Sequence, residues 1–81
     1  MSIISEKIEG KVIEITINSS NLKSAKYETD SELLEITFNN GSVYEYSNVP
    51  HKVFTKFRLA ESQGRFFNQS IGRSYSYKKV K

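Results

Sequence analysis

Polar and apolar residues alternate from Lys11 to Ile17, and Ile13, Ile15 and Ile17 share one side. A period of two rich in β-branched residues predicts a strand with one face toward a core. Asn18-Ser19-Ser20-Asn21 is polar and reads as a loop. Leu22 to Glu28 predicts a second strand with Ala25 and Tyr27 inward, and Thr29-Asp30-Ser31 turns the chain. Leu33 to Phe38 predicts a third, with Leu34, Ile36 and Phe38 on one face. Asn39-Asn40-Gly41 is a hairpin signal, and Ser42 to Tyr46 reads as the fourth strand.

The register of that hairpin follows from charge. A two-residue Asn40-Gly41 turn pairs Phe38 with Val43 and Ile36 with Glu45, which puts a carboxylate on the apolar face. A three-residue loop with Gly41 in the left-handed region pairs Phe38 with Ser42, Ile36 with Tyr44 and Leu34 with Tyr46. Burying an unpaired carboxylate costs several kcal/mol, so the three-residue loop is expected.

Beyond Val49 the period lengthens to about 3.6. Pro50 suits a first helical turn, and Val53, Phe54, Phe57 and Ala60 form an apolar stripe, with Lys52, Lys56 and Leu59 on another face. Ser62-Gln63-Gly64 breaks this helix. Ser62 suits the cap of a second short helix, Gly64 to Ser70, with Phe67 and Ile71 inward and Gly72 as its stop. Arg73 to Lys81 reads as a last strand or extended tail, with Tyr75 and Tyr77 on one face. The expected fold is α+β: an antiparallel sheet of four to five strands with two short helices packed on one face.

At 81 residues the chain is expected to form a single domain, 1–81. With no cysteine, disulfides and thiolate metal sites are excluded. The apolar runs fall short of the roughly 20 residues that span a bilayer, so no membrane partner is expected. The first residues, Met1 to Glu6, lack the basic and apolar regions of a secretory signal, and a cytoplasmic location is expected. Enzymatic chemistry is poorly served. His51, the only histidine, follows Pro50 in a loop or first turn, and no motif places a base beside a serine or threonine. Glu28-Thr29-Asp30-Ser31-Glu32 lacks the glycine and spacing of a calcium loop. The protein is expected to be non-catalytic and without a cofactor or metal.

Charge changes the picture more than composition does. Residues 1–50 carry four bases against eight acids, a net −4, whereas residues 51–81 carry eight bases against one acid, a net +7. A basic C-terminal third attracts phosphate-bearing partners.

Asn18-Ser19-Ser20, Tyr27, Leu34 with Phe38, Gly41, Tyr44-Glu45-Tyr46, Val49-Pro50, Phe54, Ala60-x-Ser62-x-Gly64, Phe67-Asn68, Ile71 and Tyr75-x-Tyr77 form an ordered series. In this series the chain resembles the KTSC domain family over roughly residues 17–80, with residues 1–16 as an added N-terminal strand and a short lead-in. The family takes its name from the C-terminal extension of some lysyl-tRNA synthetases and also occurs as free-standing bacterial and phage proteins. The resemblance suggests RNA as a partner by association.

The expected function is therefore a binding module for RNA or another nucleic acid. Lys52, Lys56, Arg58, Arg65, Arg73, Lys78 and Lys79 are the candidate phosphate contacts, and Tyr75 and Tyr77, with Phe66, are the candidate stacking aromatics. At Ser62 and Gly64, a helix start with an open glycine suits an anion, with Arg65 and Arg73 as bidentate partners. The same residues also fit a tight turn in which Ser62 only caps. Tyr44 and Tyr46 are expected in the core rather than as a stacking platform. Two other readings stand beside the first: capture of a small anionic nucleotide at the inter-helix turn, and a protein-interaction adaptor. A homodimer through the N-terminal strand is also expected as an option, because an unpaired strand of this kind invites association.

Overall fold

The computed structural model describes the backbone of residues 2–81 and the side chains of residues 5–81; Met1 of the expected lead-in lies outside the described residues. Six strands form one sheet in the order of the chain, each antiparallel to its neighbour: β1 (Ser2–Glu9), β2 (Val12–Asn18), β3 (Leu22–Glu28), β4 (Leu33–Phe38), β5 (Val43–Tyr46) and β6 (Tyr77–Lys79). Between β5 and β6 come helix α1 (His51–Leu59), a short helix α2 (Gln63–Phe66) and a π-helical segment, Phe67–Ile71.

The α+β class and the helices on one face are as expected, but the sheet has six strands rather than four to five. The additional strand is β1, where a lead-in was expected. It turns into β2 through a two-residue loop flanked by Glu9 and Val12, with Gly10 at φ +61. Glycine at the first central position is the requirement of a type II′ turn. The β4–β5 hairpin has the predicted register: Leu34 faces Tyr46, Ile36 faces Tyr44, and the Phe38 amide donates to the Ser42 carbonyl at 2.8 Å. Gly41 sits at φ +93, which L-residues rarely adopt.

The sheet's two faces differ in kind. On the inner face one row runs Ile8–Ile13–Tyr27–Leu34–Tyr46–Tyr77 across all six strands, and the next runs Glu6–Ile15–Ala25–Ile36–Tyr44–Lys79. Their central members are buried with Phe54, Phe57, Phe67 and Ile71 from the helical layer. The outer face carries a third row, Lys7–Glu14–Lys26–Glu35–Glu45–Lys78.

Tyr27 joins the layers. Its ring stacks on Phe54 at 4.4 Å, and its hydroxyl donates to the Val49 carbonyl at 2.6 Å. Pro50 precedes α1 as its N-cap, one position earlier than expected, and its carbonyl accepts from Val53 and Phe54. At the other end Ala60 is extended and breaks the helix. The buried Gln63 amide nitrogen donates to the Arg58 and Ala60 carbonyls at 3.3 and 2.9 Å. This supplies partners to helix-end carbonyls that would otherwise lack them. The second helix is not one α-helix from Gly64 to Ser70. Its later half is π-helical, closed by the Gly72 amide donating to the Phe67 carbonyl at 2.8 Å. Gly72 stays in the right-handed region at φ −59. A Cβ there would lie 3.4 Å from the Phe67 ring, at the near limit of ordinary contact. Among the described residues, no helix is long and apolar enough to cross a membrane.

Candidate functional site

At β5 and β6 the sheet continues past its helical cover, and five aromatic rings close a circuit there. Phe38 meets Tyr44 edge-on at 5.6 Å, Tyr44 meets Tyr77 at 5.7 Å, and Tyr77 meets Tyr46 at 5.4 Å. Tyr46 meets Phe67 at 5.3 Å, and Phe67 returns to Phe38 at 5.7 Å. Such offset and edge-on geometries suit aromatic quadrupoles. The rings floor a groove of about 520 Å³ whose rim includes Asn40, Ser42, Asn68 and Arg73.

Tyr46 is 5% exposed, and burial, followed by the neighbouring Tyr77 and Tyr44 phenols, pushes its pKa up to about 12. Tyr44 is half-buried. The core placement expected of these two holds for Tyr46 and in part for Tyr44. Tyr77, at 57%, is the ring that faces solvent. Tyr75 and Phe66, expected as reachable, are half-buried and pack against the core instead, Phe66 at 6.3 Å from Phe57. An apolar ring at a helix–sheet boundary gains more from burial than from exposure, and both find space there.

A second groove, of about 580 Å³, lies beside the first between the Ser19–Asn21 loop and the start of α2. Ser62 caps as expected, its hydroxyl accepting from the Arg65 amide at 3.3 Å. Gly64 does not open the backbone to a ligand. It is buried, and a methyl group on it would lie 2.9 Å from Asn21 Oδ1 and 3.0 Å from Ser19 Oγ. The protein's own loop occupies that approach. Ser19 and Asn21 are held to each other by a 3.0 Å hydrogen bond. Arg65 lines this groove and Arg73 the other, so the two arginines serve separate grooves. Asn68 lines both. Among the described residues, neither groove is lined by an aspartate or glutamate.

The remaining candidate bases disperse. Lys52 and Lys56 lie exposed on α1. Arg58 turns to the β1 side, where Nη1 donates to Glu6 Oε1 at 2.7 Å. Lys78 is on the outer face, 3.7 Å from Glu45. Lys79 is on the inner face beside Tyr44. A period of two on β6 separates these adjacent lysines. The sequence reading omitted Phe38, Asn40 and Asn21 as site residues. The inward alternation of β4 points to Phe38, but only the fold brings it to Phe67 and into one groove with Tyr77. Among the described residues, no group of three histidine, cysteine or acidic side chains is placed to hold a metal.

The family profile described as the KTSC domain matches residues 18–80. A crystal structure of a KTSC domain protein from Yersinia pestis superposes with a TM-score of 0.79 at 32% identity, covering 86% of this chain and 99% of that one. A protein of Stutzerimonas stutzeri, described as uncharacterized, is 38% identical over 55 residues, 68% of this chain and 78% of its own length. A lysine–tRNA ligase of Trichormus variabilis is 34% identical over 61 residues, which are 75% of this chain but 11% of the ligase.

Proposed function

The chain belongs to the KTSC domain family, and from that membership we propose that it is a non-catalytic module that binds single-stranded nucleic acid, RNA foremost. The observation that carries this reading is the circuit of five aromatic rings with Tyr77 exposed, rimmed by Arg73 and flanked by Lys79. Rings supply stacking surface for unpaired bases, and cations at the rim attract phosphates. Among the described residues no acid lines either groove, while the outer face holds Glu14, Glu35 and Glu45. RNA comes first because relatives over this region include ligases that act on a tRNA.

The test is a chemical-shift titration with a single-stranded RNA hexamer at low salt. Shifts should concentrate at Phe38, Tyr44, Asn68, Arg73 and Tyr77. Tyr77→Ala should weaken binding by about 1–3 kcal/mol, the value of one stacked base. Arg73→Ala should flatten the salt dependence by roughly one phosphate contact. A folded domain that ignores the hexamer at low salt refutes the proposal and leaves a protein partner, with the open edges of β1 and β6 as its docking strands.

A further inference from the structure

We propose, resting on the nucleic-acid reading above, that the minimal ligand is a dinucleotide unit laid across Asn68, with one base on Tyr77 and the adjoining phosphate at Arg65. The two grooves lie side by side and share Asn68. Each contains one arginine, Arg73 in the aromatic groove and Arg65 in the polar one, and neither is lined by a carboxylate among the described residues. A mononucleotide held on the rings satisfies Arg73 and leaves Arg65 without a phosphate. A second nucleotide supplies that phosphate in the groove whose other lining side chains are neutral and polar.

The backbone at Asn68 is an independent sign. It lies in the π-helical segment, where the Gly72 amide reaches back five residues to the Phe67 carbonyl. π-Turns within helices are rare and recur at functional sites. Here Phe67 and Ile71 stay buried while Asn68 and Gln69 are both exposed. The Asn68 amide offers donors and an acceptor, the complement of a base edge that carries both. Asn68 is thus the specificity-determining residue between a stacking subsite and a phosphate subsite.

Titration calorimetry of the full chain at low salt tests this with four probes: adenosine 5′-monophosphate, the 5′-phosphorylated dinucleotides pApA and pUpU, and an adenosine hexamer. The dinucleotide should bind at least about tenfold more tightly than the mononucleotide, the gain expected of one charge-assisted contact. Arg65→Ala should erase that gain and leave mononucleotide binding unchanged. Asn68→Ala should weaken dinucleotide and hexamer and reduce discrimination between pApA and pUpU. Thermal melts should show both variants as stable as the parent, since both side chains are exposed. A hexamer that binds, with pApA no tighter than the mononucleotide or with Arg65→Ala weakening both alike, overturns the dinucleotide unit and leaves the nucleic-acid reading standing. A hexamer that does not bind overturns both.

Discussion

Two single residues show how closely the site and the core depend on each other. Tyr46 lines the aromatic groove yet is buried, and its phenol is held neutral, with a pKa pushed up to about 12. Because this phenol ionises more readily in the unfolded chain than in the folded one, rising pH favours the unfolded state. This contribution is whole below pH about 10, the unfolded value, and is lost as pH rises toward 12. Urea melts between pH 9 and 12 should show falling stability, and Tyr46→Phe should make the fall shallower. Some slope should remain, because burial, with Glu32 nearby, also raises Tyr27. Gly64 is the second case. Gly64→Ala should cost about 1–3 kcal/mol through overpacking, because its methyl would press on Asn21 and Ser19. Adding Asn21→Ala should return part of the loss, and a double-mutant cycle from chemical melts measures that coupling.

At the scale of elements, β1 is attached by its ladder to β2 and by the Arg58–Glu6 ion pair to α1. Among the described residues Arg58 Nε is buried without a partner, and Glu6 compensates the guanidinium through Nη1. Both side chains remain about a third exposed, 29% and 38%, so the pair's worth is modest, about 1 kcal/mol. The ladder matters more. Deleting residues 1–9 turns β2 into an edge and removes the cover beside Ile13, Ile15 and Ile17. The truncated chain should melt at a lower temperature and self-associate, which sedimentation velocity would detect as added mass. Unchanged melting and mass would mean that β1 contributes nothing to the sheet's integrity.

Across the whole molecule the outer face carries one line of charge, Lys7–Glu14–Lys26–Glu35–Glu45–Lys78. Opposite charges face each other at every step except Glu35 to Glu45. Like charges directly opposite are destabilising by a few tenths of a kcal/mol or more. Exchanging the last two residues, Glu45→Lys with Lys78→Glu, keeps the net charge and makes the alternation complete. The double variant should be more stable by about 0.5 kcal/mol, and the gain should shrink in high salt as screening grows. Chemical melts at low and high salt check both parts. Glu45 and Lys78 lie on the face opposite the aromatic and polar grooves, so the exchange should leave binding in those grooves unaffected.

Strands β2 to β5, helix α1 and the hairpin register were legible in the sequence because each rests on local chemistry. Alternation decides which side of a strand is buried. A three-residue loop with Gly41 keeps Glu45 out of the core, and Phe54 with Phe57 marks the buried side of α1. β1 was not legible as a strand, because an edge strand buries little and its inward positions include Glu6 and the 66%-exposed Ile8. Its Gly10 turn was the signal available. The ordered motif was also in the sequence, and it pointed to the correct family. The grooves were not. Phe38 and Tyr44 belong to one hairpin, whereas Phe67 and Tyr77 come from distant segments, and which rings stay open depends on where the helical layer stops. Likewise the sequence shows Arg58, Arg65 and Arg73 as three similar bases. Only the packing of β1, α2 and the π-helical segment gives one to an ion pair and one to each groove, because a side chain's neighbours across the fold decide what its charge meets.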